Sequence, residues 1–137
     1  MNISVEVQKK KDKNLKETSS GAIQTALLEC GVRAQEIATK LCPVQTGRLR
    51  SSITFGTVSN NYTGSHAGEN GEEPVENGAG LSIPKDDEMI LGTNVSYAYF
   101  VEMGSSGKKK TPFLEPAITG HMKDYEQIFK KNFDKLK

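Results

Sequence analysis

Two cysteines and two histidines are the residues of this chain best suited to bind a metal or to act as a nucleophile and its base. Cys30 and Cys42 fall in one helical pattern, about 18 Å apart along the helix axis, which is beyond disulfide reach. His66 and His121 are not at ligand spacing from each other or from either cysteine. We therefore predict no metal site, and we expect both cysteines to act as small apolar side chains in a reducing compartment.

Carboxylates could support two further kinds of chemistry, glycoside hydrolysis and calcium binding. The acidic run 86–88 is contiguous, so its members cannot flank a substrate as a hydrolytic pair does. The segment 69–73 has oxygen ligands but lacks the alternating spacing of a helix-loop-helix calcium site. No Ser, His and Asp set and no phosphate-binding glycine loop is present in the sequence. We predict no catalytic residues and no cofactor.

Length and composition favour one modest domain. The chain has 137 residues, 35% of them hydrophobic, and a formal net charge of +1, so residues 1–137 are predicted to form a single domain. A charge this close to zero gives no overall attraction to nucleic acid or to an anionic membrane. No apolar run is long enough to span a bilayer, and the first residues lack the apolar core of a signal peptide. We expect a protein made and kept in a cytoplasm.

The N-terminal half is predicted to contain an edge strand and one long helix. Residues 3–7 alternate in polarity, so we interpret residues 1–17 as an arm or an edge strand. A helix of about 18–42 follows, with Thr18, Ser19 or Ser20 as its cap. Its apolar residues step by four and three along one face: Ile23, Leu27, Cys30, Ala34, Ile37 and Leu41. Gly31 lies inside this helix and indicates close packing or a slight bend.

The stretch 43–53 is interpreted as a hinge between the helix and a sheet. Pro43 ends the helical pattern, and Gly47 permits a turn with positive φ. The alternation over about 49–58 predicts a half-buried strand. Residues 60–82 are rich in glycine and glutamate and poor in large apolar side chains, which predicts a long mobile loop. A short strand at 88–92 is expected to pair antiparallel with the first one.

The C-terminal part is predicted to be helical. Tyr97 and Val101 are four residues apart, which indicates one or two helical turns closed by Gly104. A helix of about 112–135 follows, opened by Thr111 and Pro112, with His121 as a packed or rim residue. The predicted fold class is therefore α+β, with a small antiparallel sheet packed by a long N-terminal and a long C-terminal helix, and with a long mobile loop.

Three blocks of residues together resemble a known family. They are, in chain order, Pro43, Thr46, Gly47, Arg48, Leu49, Ser52 and Ile53, then Tyr97, Ala98, Val101, Glu102 and Gly104, then Pro112, Phe113, Leu114, Pro116 and Ala117. This pattern is similar to that of the head-tail joining, or tail completion, proteins of long-tailed bacteriophages and prophages. Two departures are that Ala98 is followed directly by Tyr99, where the family often has a proline, and that the segment between the first two blocks is long.

The resemblance implies an α+β subunit of the virion that forms a ring, expected to be hexameric, at the head-proximal end of the tail. Its implied partners are copies of itself, the tail tube protein and the head completion or connector proteins, with DNA only passing through the lumen and no membrane involved. The protein would be made in the cytoplasm of the bacterial host. The motif residues are then architectural.

Two hypotheses follow for charged residues. We expect Glu102 to pair with Arg48 or Arg50, which would link the second block to the first. We also expect the glutamates of the 60–82 loop to lie at a partner surface or in the ring lumen, where negative charge would keep DNA from adhering.

Two other functions remain open at this point. A binding module that captures a host protein would be a monomer dispensable for particle formation. A small wall hydrolase would need two carboxylates across a cleft.

Overall fold

The computed structural model of the chain describes residues 3–8, 20–43, 47–104, 106–107 and 109–135. These residues form an α+β structure, as predicted. The strands are β1 (Ile3–Gln8), β2 (Thr54–Gly56), β3 (Ser65–His66), β4 (Val75–Glu76) and β5 (Glu88–Thr93). The helices are α1 (Ser20–Leu41), α2 (Arg48–Ser52), α3 (Ala98–Met103), α4 (Glu115–Thr119) and α5 (Met122–Asp134).

The main sheet has three antiparallel strands in the order β1-β5-β2. All six residues of the central strand β5 are buried. Ile3 is opposite Thr93 at one end of the β1 pairing, and Phe55 is opposite Leu91 in the β2 pairing. The predicted antiparallel pairing of the 88–92 strand is confirmed, and so is an edge strand near the N-terminus. Residues 9–19, which include the predicted caps Thr18 and Ser19, lie outside the described residues.

Helix α1 packs across this sheet at a point where a glycine is required. Gly31 is buried, and a Cβ built on it would lie 2.1 Å from the Phe55 ring. No side chain fits there, so the close packing predicted at Gly31 is confirmed. The residues around this contact belong to one cluster of buried apolar side chains contributed by α1, α2, β2, β5, α3, α4 and α5.

The predicted strand over 49–58 is wrong in its first half, which is the helix α2. Gly47 has φ 74°, the positive φ predicted for it, and its carbonyl accepts the Ser51 N–H at 2.9 Å. The hydroxyls of Ser51 and Ser52 donate to carbonyls three or four residues back, which is a helical pattern of side-chain bonding. Only Thr54–Gly56 pairs with the sheet.

The predicted continuous helix over 112–135 is also wrong, because it is two helices separated by Gly120 and His121. The Gly120 N–H returns to the Pro116 carbonyl at 3.0 Å, and His121, with φ −131°, leaves helical geometry. Glycine weakens a helix interior by about 1 kcal/mol relative to alanine, which favours a break here. The first of the two helices begins at Glu115 rather than at Pro112.

Residues 60–82, predicted to be a loop, contain secondary structure. Strands β3 and β4 pair antiparallel, and a short 3-10 helix, Glu69–Gly71, lies between them. No described residue of this segment belongs to the cluster of buried apolar side chains, and polar contacts of Asn77 and His66 help to hold it. Hydrophobic patterning therefore gives no signal for its strands. Its mobility stays a prediction.

The second block forms the predicted short helix α3, which ends at Gly104.

Among the described residues, no helix combines the length and the apolar character needed to cross a bilayer.

Candidate functional site

The second and third sequence blocks meet at the carboxylate of Glu102. This side chain is buried, and its Oε1 accepts the backbone N–H groups of Phe113 at 3.0 Å and Leu114 at 2.9 Å. Its Oε2 accepts the Glu115 N–H at 3.2 Å. These N–H groups belong to the start of α4, where a helix leaves its first donors without partners. A carboxylate from α3 therefore caps α4, and its negative charge interacts favourably with the positive end of the α4 dipole.

The predicted ion pair of Glu102 with Arg48 or Arg50 is wrong. Neither guanidinium lies within 4.0 Å of the carboxylate, and both make other contacts. The Nε of Arg50 donates to the Thr39 carbonyl at 2.9 Å, which ties α2 to the end of α1. Three backbone N–H groups already donate to this buried carboxylate, so it does not need an arginine as its hydrogen-bond partner.

Arg48 links the first block to the second in a different way. Its Nε donates to the Ala67 carbonyl at 2.8 Å, and its Nη2 lies 3.4 Å from Glu69 Oε1. The guanidinium carbon also lies 5.7 Å from the centre of the Tyr97 ring, a distance typical of a cation–π contact. The Ser96 hydroxyl donates to the same Glu69 oxygen at 3.2 Å. Arg48 thus joins α2, the segment after β3 and the approach to α3.

The apolar members of all three blocks lie in one core. Fully or almost fully buried are Leu49, Ile53, Ala98, Phe113, Leu114 and Ala117. Tyr97 and Val101 are partly buried against the same cluster. Ser52 is buried as well, and its hydroxyl lies 2.5 Å from that of Thr93 on β5. The structure therefore brings the three blocks together, although more than forty residues separate the first from the second.

The remaining motif residues shape the chain around this core. Pro43 follows the end of α1, and Pro116 lies in the first turn of α4. Pro112 precedes the residues that Glu102 caps, and Gly104 ends α3. Thr46 lies outside the described residues.

Cys30 and Cys42 both lie in the interior of the fold. Both are buried thiols. Burial raises the pKa of Cys42 to about 11, with Arg50 acting against the rise and Glu102 adding to it. A thiol with such a pKa is protonated near neutral pH, and the protonated form is a poor nucleophile.

A polar network that was not predicted holds the segment after β2. Asn77 is buried, and its Nδ2 donates to the carbonyls of Ser51 and Thr63 at 3.0 and 3.2 Å. Its Oδ1 lies 2.7 Å from His66 Nδ1. Since the Asn77 oxygen can only accept, His66 must carry a proton on Nδ1. His66 and Asn77 thus fasten β3 and β4 to α2, and only the polar character of both residues in a glycine-rich segment hinted at this.

The other candidates for chemistry do not converge. His121 is partly exposed, consistent with the rim position predicted for it, and its Nδ1 lies 3.4 Å from Asp124 Oδ2. Glu88 is buried and accepts the Lys85 N–H at 3.0 Å. Within the described ranges, no group of three or more His, Cys, Asp or Glu side chains is placed to hold a metal ion.

Comparison of the chain with protein-family models, with curated proteins and with solved structures finds no significant match. The fold and the three blocks are therefore the observations on which a function can be argued.

Proposed function

We propose that this chain is a tail completion, or head-tail joining, protein of a long-tailed bacteriophage or prophage. It acts as a structural subunit, forms a ring at the head-proximal end of the tail, and contacts the tail tube on one side and the head connector on the other. DNA passes through the lumen of this ring, and the subunit performs no catalysis.

The observation that carries this proposal is the meeting of the three sequence blocks. Glu102 joins the second block to the third through backbone N–H groups, and Arg48 joins the first to the second through the Tyr97 ring. Residues that resemble a family motif and whose apolar members lie together in one core, while the charged Arg48 and Glu102 bind groups of the chain itself, fit an architectural role. The same blocks scattered over the surface would have argued against it.

The sheet is compatible with assembly. Strands β1 and β2 are the edges of the sheet, and the backbone groups of an edge strand can pair with another chain. In a closed ring each subunit meets the next through two different surfaces, so each copy can cover its neighbour's edge. The glutamates of residues 60–82 are proposed to lie at a partner surface or in the ring lumen.

The decisive experiment is deletion of the gene from the genome that encodes it. We expect filled heads and finished tails to accumulate unjoined, as seen by electron microscopy of induced lysates. Wild-type protein supplied from a plasmid should restore joined particles. Normal yields of infectious particles without the gene would refute the proposal.

Complementation with variants then tests the architectural role. Glu102→Ala should fail to restore joined particles, because α4 loses its cap. Glu126→Ala changes a glutamate exposed on α5 and should restore them fully. Purified protein should also bind isolated tails. The mass of the tails, measured by sedimentation with and without the protein, should then differ by the mass of a ring of subunits.

A further inference from the structure

Helix α3 presents an exposed apolar face opposite the buried Ala98 and Glu102. Tyr99, Phe100 and Met103 make up this α3 face and are 40%, 55% and 57% exposed. The Tyr99 and Phe100 rings meet edge to face, with centroids 5.7 Å apart. Aromatic and methionine side chains grouped in this way are enriched in protein interfaces.

The two ends of the α3 face are bordered by opposite charges. Near the start of α3, Glu69 accepts a hydrogen bond from Ser96, which places the acidic segment at that end. Glu69 is paired with Arg48, but the exposed Glu72 and Glu73 that follow it have no ion pair among the described residues. This end is therefore negative.

The other end of the α3 face is positive. The Thr111 N–H donates to the Val101 carbonyl at 2.8 Å, so the loop after α3 returns along the helix. Lys109 and Lys110 immediately precede this contact and are exposed. Neither forms an ion pair with another described residue.

We propose that the α3 faces of two copies of this chain pack against each other about a two-fold axis. A two-fold axis perpendicular to α3 makes the two helices antiparallel, so the lysines of each copy meet the glutamates of the other. Such a contact is self-complementary, as two-fold contacts must be. The proposal concerns the free chain and goes beyond the head-tail role, since it holds whether or not the chain joins heads to tails.

The contact should be weak. Three partly exposed side chains supply a few hundred Å² at most, against roughly 800 Å² per partner in a standard interface. We therefore expect a dissociation constant on the order of 10–100 µM.

Sedimentation velocity of the full chain from about 5 to about 500 µM tests the proposal, because this range brackets the expected dissociation constant. We expect a monomer–dimer equilibrium that shifts toward monomer at about 1 M salt, where charges are screened beyond about 3 Å. The double variant Phe100→Ser, Met103→Ser should weaken the dimer at least tenfold. The matched control is Val32→Ser, which changes an apolar side chain on α1 that is 53% exposed and should leave the dimer unchanged.

Charge reversal gives a sharper test that alters only exposed residues. Lys109→Glu with Lys110→Glu makes both ends of the α3 face negative, and Glu72→Lys with Glu73→Lys makes both ends positive. Each variant alone should be monomeric, and an equimolar mixture of the two should form a heterodimer.

Three results would overturn the proposal. They are a wild-type chain that stays monomeric throughout this range, a dimer or larger assembly that survives the charge reversals, and reversed variants that do not associate when mixed.

Discussion

The clearest quantitative prediction concerns the cap that Glu102 provides to α4. Glu102→Ala removes the acceptor for three backbone N–H groups, two of them on the buried residues Phe113 and Leu114. A buried donor left without a partner costs about 1–3 kcal/mol. Part of this is offset because the carboxylate no longer has to be kept out of water. We expect a loss of about 3–5 kcal/mol in the free energy of unfolding.

Two further variants calibrate this loss. Glu102→Gln retains one oxygen for Phe113 and Leu114, but its amide group can turn a donor toward the Glu115 N–H, so we expect a smaller loss of about 1–3 kcal/mol. Glu126→Ala removes an exposed glutamate from α5 and should change stability by no more than about 0.5 kcal/mol.

Urea denaturation followed by circular dichroism measures all three variants. Domains of this size are usually stable by about 5–15 kcal/mol, so the alanine variant should unfold at a markedly lower urea concentration. Hydrogen exchange at the amides of 113–115 should accelerate in it as well. A loss below about 1 kcal/mol for Glu102→Ala would refute the reasoning, since it would mean that water satisfies these N–H groups.

Three more predictions follow from the packing and the surface charges. Gly31→Ala should cost about 2 kcal/mol or more because its Cβ would overlap the Phe55 ring, whereas Gly21→Ala, with nothing within 4 Å, should be neutral or stabilising in thermal melts. Asn77→Ala should cost about 2–4 kcal/mol in urea denaturation, because it removes the bonds that hold β3 and β4 to α2. A hydrogen bond from Arg33 on α1 holds the pKa of Asp124 below its usual 3.8. The ionised Asp124 therefore stabilises the fold above pH 3.8, and this stabilisation is lost as the pH falls through the lower pKa of the folded state. Asp124→Asn should therefore be less stable than wild type at pH 6 and lose that difference in strong acid; a constant difference across the titration would contradict the assignment.

The elements with a long or unambiguous period were predictable. Helix α1 repeats its apolar residues over many turns, and its observed range, Ser20–Leu41, falls within the predicted 18–42. Strand β5 and the end of α3 at Gly104 were also predicted, the first from an apolar run and the second from a glycine after an aromatic helix. In each case local chemistry and tertiary packing favour the same structure.

Helix α2 could not be predicted because its apolar pattern fits both a strand and a helix. Leu49 and Ile53 are four residues apart, a spacing that puts them on one face of a strand and also on one face of a helix. The conformation of Gly47 and the serine hydroxyls decide for the helix. In the C-terminal region the apolar stripe continues across Gly120, so periodicity alone cannot locate the break.

The candidate site was predictable in its members but not in its contacts. A buried glutamate suggests a basic partner, and the sequence offers Arg48 and Arg50 close to the predicted hinge. The actual partners are backbone N–H groups, which every residue except proline carries and which therefore leave no trace in a sequence. The same limitation conceals the role of Asn77.

Several polar side chains stabilise this fold in the same way, by binding backbone groups. Among the residues that the structure describes, the main sheet has three strands, so much of the described backbone between helices finds no ladder partner. Side chains bind some of these groups: Arg48 binds the Ala67 carbonyl, and Asn94 binds those of Glu76 and Ala79. Arg50 likewise binds the carbonyl of Thr39 in the last turn of α1, where a helix leaves carbonyls without partners. Removing a side chain that hydrogen-bonds a buried backbone group leaves that group without a partner, which lowers the free energy of unfolding. Substitution of these residues should therefore reduce stability, and assembly only as far as stability falls. If the chain joins heads to tails as proposed, a variant that blocks joining without loss of stability should map to the exposed surface.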